Sequence, residues 1–184
     1  MKKKLQLLLV CTAALMALIF TTACFGDDVT VMDEAEEANM TVAVEQVSFS
    51  TVDLYGNPYT SEDMKNSGAT VVMVNFWEPW CGPCVGEMPE LEQLYENYAD
   101  QGLLILGVYS TQEDAESVVE QNQITYPIIR ADENLAQLES DYVPTTVFMD
   151  ADGNLLSATQ VIGSNDYETW ETMVKSYLGL DGES

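Results

Sequence analysis

Two cysteines separated by two residues, Cys81 and Cys84 in Trp80-Cys81-Gly82-Pro83-Cys84, can exchange electrons with other disulfides, hold half a metal site, or form a fixed crosslink. A zinc site needs four ligands. The chain has no His, and its other cysteines, Cys11 and Cys24, lie within the first 24 residues, so no metal is expected. A purely structural crosslink over so short a loop removes little entropy from the unfolded chain. Thiol–disulfide exchange asks for a thiolate, hence for a thiol of depressed pKa. A helix start supplies this through unpaired N–H groups and the helix dipole. Pro83 is tolerated in a first helical turn. The two-residue spacing lets Cys84 turn back onto Cys81 and resolve a mixed disulfide.

The elements that must hold such a pair are legible on either side of it. Thr70 to Phe76 is an almost unbroken β-branched and apolar run, the pattern of a strand buried on both faces. After Cys81, Met88, Leu91, Leu94, Tyr95 and Tyr98 recur at helical spacing, and Gln101-Gly102 ends the helix. Leu103 to Val108 reads as a second buried strand. Upstream, Val47 to Val52 alternates as a strand and Asp53 to Pro58 carries turn chemistry, which predicts an N-terminal hairpin. Downstream, Ser110-Thr111-Gln112-Glu113 matches a capping box before a helix carrying Ala115, Val118 and Val119. A strand over Tyr126 to Ile129 and a short helix over Asn134 to Ser140 follow, the latter with Leu135 and Leu138 inward. Thr145 to Met149 and Leu155 to Ile162 flank a turn as a hairpin. The last helix, Tyr167 to Leu178, is expected to bury Trp170, Val174 and Leu178. The order β-α-β-α-β-α-β-β-α implies an α/β layered sheet, parallel at its start and antiparallel at its end.

Charge and the N-terminus set the surroundings. The chain has 31 acidic residues against six basic ones, three of them Lys2, Lys3 and Lys4. So acidic a surface repels phosphate backbones, and nucleic acid is excluded as a partner. The basic triplet, the apolar run from Leu5 to Phe20 and the small residues up to Ala23 make an export signal. Residues 1–24 are therefore read as a signal and 25–43, acidic and without apolar period, as a flexible linker. Residues 44–184 form the folded domain. Export places the domain where disulfide chemistry operates. An uncleaved anchor is an alternative, because Leu5 to Ala23 at about 1.5 Å rise per residue spans a hydrocarbon core of roughly 30 Å. Cleavage with release is a third.

Asn75-Phe76-Trp77-Glu78-Pro79-Trp80-Cys81-Gly82-Pro83-Cys84 resembles the active-site segment of the thioredoxin superfamily. The following Val85-Gly86-Glu87-Met88-Pro89-Glu90-Leu91 is similar to its TlpA/ResA-like branch of extracytoplasmic thiol–disulfide oxidoreductases. The resemblance covers about residues 44 to 180. It implies a thioredoxin-like fold, a central mixed sheet flanked by helices, with an N-terminal β-hairpin and an inserted helix–strand unit near 112–130. It implies Val143-Pro144 as the loop with a cis proline facing the cysteines, where Val143 backbone pairs with a client. Glu87 falls where the branch has an active-site acid that moves the Cys84 proton; alone, it also reads as a solvent-facing helix residue. Cys24 falls at the lipidated position of a lipoprotein signal, although Thr21 stands where Leu is usual.

The activity implied is reduction of client protein disulfides through Cys81 and Cys84, without a cofactor, by a monomer lipid-anchored on the outer face of the bacterial cytoplasmic membrane. A CcdA/DsbD-type membrane donor would reset the pair, and apocytochrome c would be one client. Trp80 is the candidate client-contact side chain, while Trp77 and Trp80 together read first as packing and shielding groups. Two residues depart from the superfamily pattern. Asn75 replaces a buried Asp, and Glu78-Pro79 replaces a small-polar pair, with Glu78 expected to point to water. The alternatives are a peroxiredoxin-like peroxidase and a Sco-type copper-binding assembly factor. The first lacks its Pro-x-x-x-Thr-x-x-Cys setting and the second its C-x-x-x-C and distant His. The direction of electron flow stays open at this point.

Overall fold

The computed structural model describes residues 46–182. The expected signal (1–24, with Cys24) and linker (25–43) lie outside the described residues. Among those described, no helix is long and apolar enough to cross a membrane.

Five strands build the main sheet: β3 (Val71–Phe76), β4 (Leu103–Tyr109), β5 (Ile128–Arg130), β6 (Thr145–Met149) and β7 (Val161–Ile162). Their order is β5-β4-β3-β6-β7, with β3, β4 and β5 parallel and β6 and β7 antiparallel to their neighbours. The parallel start and antiparallel end agree with the sequence pattern. A separate hairpin pairs β1 (Ser50–Val52) with β2 (Pro58–Thr60) and leads into α1 (Ser61–Lys65). It rides beside β5, held by Leu54 N donating to Ile128 O and Thr51 Oγ1 to Arg130 O. The remaining helices are α2 (Gly82–Tyr98), α3 (Ala115–Gln121) and α4 (Tyr167–Leu178), and Leu135–Leu138 form a 3₁₀ turn.

β3 is buried at every residue, so its side chains feed two cores in alternation. Val71 and Met73 face Leu91 and Leu94 of α2 and Trp170 and Val174 of α4. Val72, Val74 and Phe76 face Met64, Leu135, Leu138, Val147 and Met149. α4 is capped by Asp166, whose side chain accepts from Thr169 N, and ends at Gly179 in the left-handed region. As expected it buries Trp170 and Val174; Leu178 is half-buried.

Three expectations are corrected. The alternation of Val47 to Val52 does bury Val47 and Phe49, yet only Ser50–Val52 is strand. Val47 N donates to Gly153 O and Phe49 N to Ser61 Oγ, so neither enters a ladder. The Val47 contact needs glycine opposite: Gly153 has φ +87, and a Cβ there would collide with Val47 O. The capping box at Ser110 does not form. α3 begins at Ala115 behind Asp114 in a left-handed conformation without a side-chain cap, because the Ser110 and Thr111 amides are bound elsewhere. Finally, Leu155 makes only an isolated bridge to Met149, and the strand beyond β6 shortens to Val161–Ile162.

Candidate active site

The site forms where β3 ends and α2 begins. Cys81 is the N-cap of α2 in an extended conformation, and its Sγ accepts from Cys84 N at 3.2 Å. Its own amide donates to Glu78 O. Cys81 and Cys84 are disulfide-bonded, with Cα atoms 5.3 Å apart. Cys84, a turn inside the helix, is buried; Cys81 is the more accessible at 6 %. That order suits an attacking outer sulfur and a resolving inner one. Gly82 and Pro83 between them are exposed, so the surface over the disulfide is open to a partner.

Val143–Pro144 is a cis peptide, and Val143 O lies 3.6 Å from Cys81 Sγ. A disulfide sulfur carries no proton, so this is a packing contact in the oxidised protein. In the dithiol form the Cys81 thiol has an acceptor at this place. A thiolate there would meet the negative end of the carbonyl dipole.

Glu87 is buried, not solvent-facing, at 3 % exposure. Three residues after Cys84 on one helix, it shares that residue's face. Its Oε1 accepts from Asn75 Nδ2 at 3.1 Å, and its Oε2 accepts from Asn165 N at 3.1 Å and Trp170 Nε1 at 3.3 Å. Burial pushes the carboxyl above the ordinary glutamate range, and the three hydrogen bonds only partly oppose it. Asn75 Nδ2 also donates to Thr146 Oγ1 at 3.0 Å. One amide thus ties the acid on α2 to the strand that follows Pro144. Asn75 therefore holds the acid in place and does not carry a proton itself. Sequence reasoning had Asn75 and Glu87 separately and missed their bond, since no spacing rule links β3 to α2.

Glu78 overturns its expectation. It is buried, and its two oxygens accept from the consecutive amides of Ser110 and Thr111, each at 3.0 Å. The β4–α3 loop turns its backbone donors inward, and a carboxylate following a buried strand is the group that reaches them. Its negative charge, after burial, also helps hold the Glu139 carboxyl above its ordinary range. The signal available was faint: an acid two residues beyond the end of a fully buried strand.

The two tryptophans divide. Trp77 is fully buried, its ring tilted against Tyr109 at 6.0 Å between centroids, as a packing group should be. Trp80 is 70 % exposed, which removes the packing role read for it. Trp77 and Cys81 already fill the inner side of the turn, leaving Trp80 on the outer side. Tyr142, immediately before Val143, is equally exposed at 69 %. Among the described residues, no group of three or more metal-ligating acids or cysteines is present.

Comparison with known proteins agrees with this geometry. The AhpC/TSA family matches residues 42–174. The thiol-disulfide oxidoreductase ResA of Geobacillus kaustophilus is 32 % identical over 157 residues, covering 83 % of this chain and 87 % of that protein. ResA of Bacillus anthracis is 28 % identical over 145 residues, covering 77 % and 81 %. Among solved structures, a thioredoxin-family thiol:disulfide interchange protein from Chlorobium tepidum superposes with a TM-score of 0.64 at 26 % identity, covering 74 % of this chain and 97 % of that one. With its cysteine pair at the head of α2 and these relatives across most of its length, the chain belongs to the AhpC/TSA family and, within it, to the ResA-type thiol–disulfide oxidoreductases.

Proposed function

We propose that this oxidoreductase works as a reductase of disulfides in exported proteins, tethered through its N-terminus outside the cytoplasm. The observation that carries the direction is electrostatic. A dithiol oxidises others strongly when its reduced form is stabilised, as a low-pKa thiolate is. Cys81 has the α2 N-terminus in its favour, but the side chains gathered nearby are the acids Glu78 and Glu87, and Val143 O faces its sulfur. No Lys or Arg lies between Lys65 and Arg130, or between Arg130 and Lys175. A thiolate with so little support favours the disulfide product, hence electron donation to clients.

The cycle follows from the two sulfurs. The Cys81 thiolate attacks a client disulfide, forming a mixed disulfide and expelling one client thiolate, which takes a proton. Cys84 then loses its proton to the Glu87 carboxylate and attacks the Cys81 sulfur. The second client sulfur leaves as a thiolate and takes that proton from Glu87, and the Cys81–Cys84 disulfide remains. Two electrons and two protons from a dithiol donor reset it, a role suited to a CcdA/DsbD-type membrane protein. Val143 backbone pairs with the client in extended form, reading little side-chain detail. The export signal and Cys24 support lipid anchoring, and apocytochrome c is among the clients this placement serves. The deciding experiment is a redox titration of the pair against glutathione and dithiothreitol buffers. A reductase is expected nearer the thioredoxin value of about −270 mV than the DsbA value of about −120 mV, and a result near the latter would reverse the direction.

A further inference from the structure

The face around the disulfide joins two features that the exchange chemistry does not require. The first is exposed aromatic surface on both walls. Trp80 directly precedes Cys81, and Tyr142 directly precedes Val143, whose carbonyl touches the Cys81 sulfur. Each ring is about 70 % exposed, while the other large aromatics of this region, Trp77, Tyr109 and Trp170, are buried. The second is one-signed charge. The stretches on either side of Cys81 and of Val143 carry Glu78, Glu139 and Asp141 and no base. Residues 46–182 as a whole have 23 acids against three bases. Two of those bases are already paired, Lys65 with Asp152 at 2.6 Å and Lys175 with Glu171 at 3.3 Å. The third, Arg130, lies on β5, two strands from β3.

Aromatic faces set among carboxylates attract cationic side chains: the ring quadrupole and the surrounding charge favour the same ligand. We infer that the surface of Trp80, Tyr142 and Asp141 selects client polypeptides carrying Arg or Lys within a few residues of the cysteine that Cys81 attacks. The occupant is an extended, basic segment of a client protein. A neutral segment gains nothing from the field, and an acidic one is repelled by it. The selection acts on encounter and on the lifetime of the docked complex; the exchange of bonds is the one already described. This inference rests on Cys81 being the attacking sulfur, so its test separates the two.

The full chain, reduced and freed of reductant, is mixed with three oxidants in turn: bis(2-hydroxyethyl) disulfide, a disulfide-linked peptide with Arg flanking its cysteines, and the same peptide with Glu there. Formation of the Cys81–Cys84 disulfide is followed by acid quench and thiol alkylation. The Arg peptide is expected to react at least about tenfold faster than the Glu peptide at low salt, with the ratio falling below about threefold at roughly 0.5 M salt. The rate with the neutral disulfide is expected to be nearly independent of salt. Asp141→Lys should shrink the Arg-to-Glu ratio by at least about threefold, and Trp80→Leu should slow the Arg peptide by about threefold. Equal rates for the two peptides at low salt, with the neutral disulfide still reduced, would overturn the selection and leave the exchange chemistry standing. A ratio unmoved by both substitutions would place the selection elsewhere on the domain and equally overturn this assignment. No reaction with any of the three disulfides would overturn the chemistry itself.

Discussion

At the scale of residues, the site sets a buried acid on the same helix as its two sulfurs. Glu87 is raised by burial and held by Asn75, Asn165 and Trp170. A carboxyl raised in the folded state stays protonated where the unfolded chain has lost its proton. The stability this contributes is complete below the ordinary glutamate value of 4.5 and is lost as pH rises through the folded-state value. Glu87→Gln is neutral at every pH, so its stability should gain on that of the parent as pH rises above the ordinary glutamate value of 4.5, read from urea midpoints. If Glu87 accepts the Cys84 proton as proposed, the same substitution should slow single-turnover client release about 10²-fold at neutral pH. A variant with the parent's rate and the parent's pH dependence of stability would show that Glu87 is only a packing group. The cysteines and the Val143-Pro144 loop were legible because short motifs name them. Glu78 was not, because its partners are the amides of Ser110 and Thr111, and backbone donors leave no mark in a sequence.

At the scale of elements, the strand before the site and the helix after it were legible from their periods. Val71–Phe76 is buried throughout, and Met88, Leu91, Leu94 and Tyr98 line the inner face of α2. Boundaries failed where tertiary hydrogen bonds overrode local pattern, as at Val47, Phe49 and Ser110. β4 adds a constraint that pattern alone leaves hidden. Gly107 pairs with Asn75 on one side and Ile128 on the other. A Cβ there would lie 2.5 Å from Ile128 Cδ1, 3.2 Å from Tyr126 and 3.3 Å from Trp77 Nε1. The glycine is thus what lets Trp77 and the inserted strand close over β4. Gly107→Ala should cost about 1–3 kcal/mol in urea unfolding and shift Trp fluorescence as Trp77 moves. A loss below about 0.5 kcal/mol with unchanged fluorescence would mean that the neighbours yield freely.

At the scale of the whole molecule, the sulfur chemistry sits in a strongly acidic domain. The excess of 31 acids over six bases was plain from composition, but composition reads first as solubility. Only the fold shows that bare aromatic rings border the disulfide within that charge. The central claim is that Cys81 attacks client disulfides and Cys84 resolves the product, and capture of the intermediate tests it most directly. In cells making the full chain as Cys84→Ala, with free thiols blocked at harvest, non-reducing gels and mass spectrometry should find mixed disulfides between Cys81 and exported proteins. Cys81→Ala should capture none through Cys84. Capture through Cys84 and not Cys81, or full reduction of a model disulfide by both variants, would contradict the mechanism.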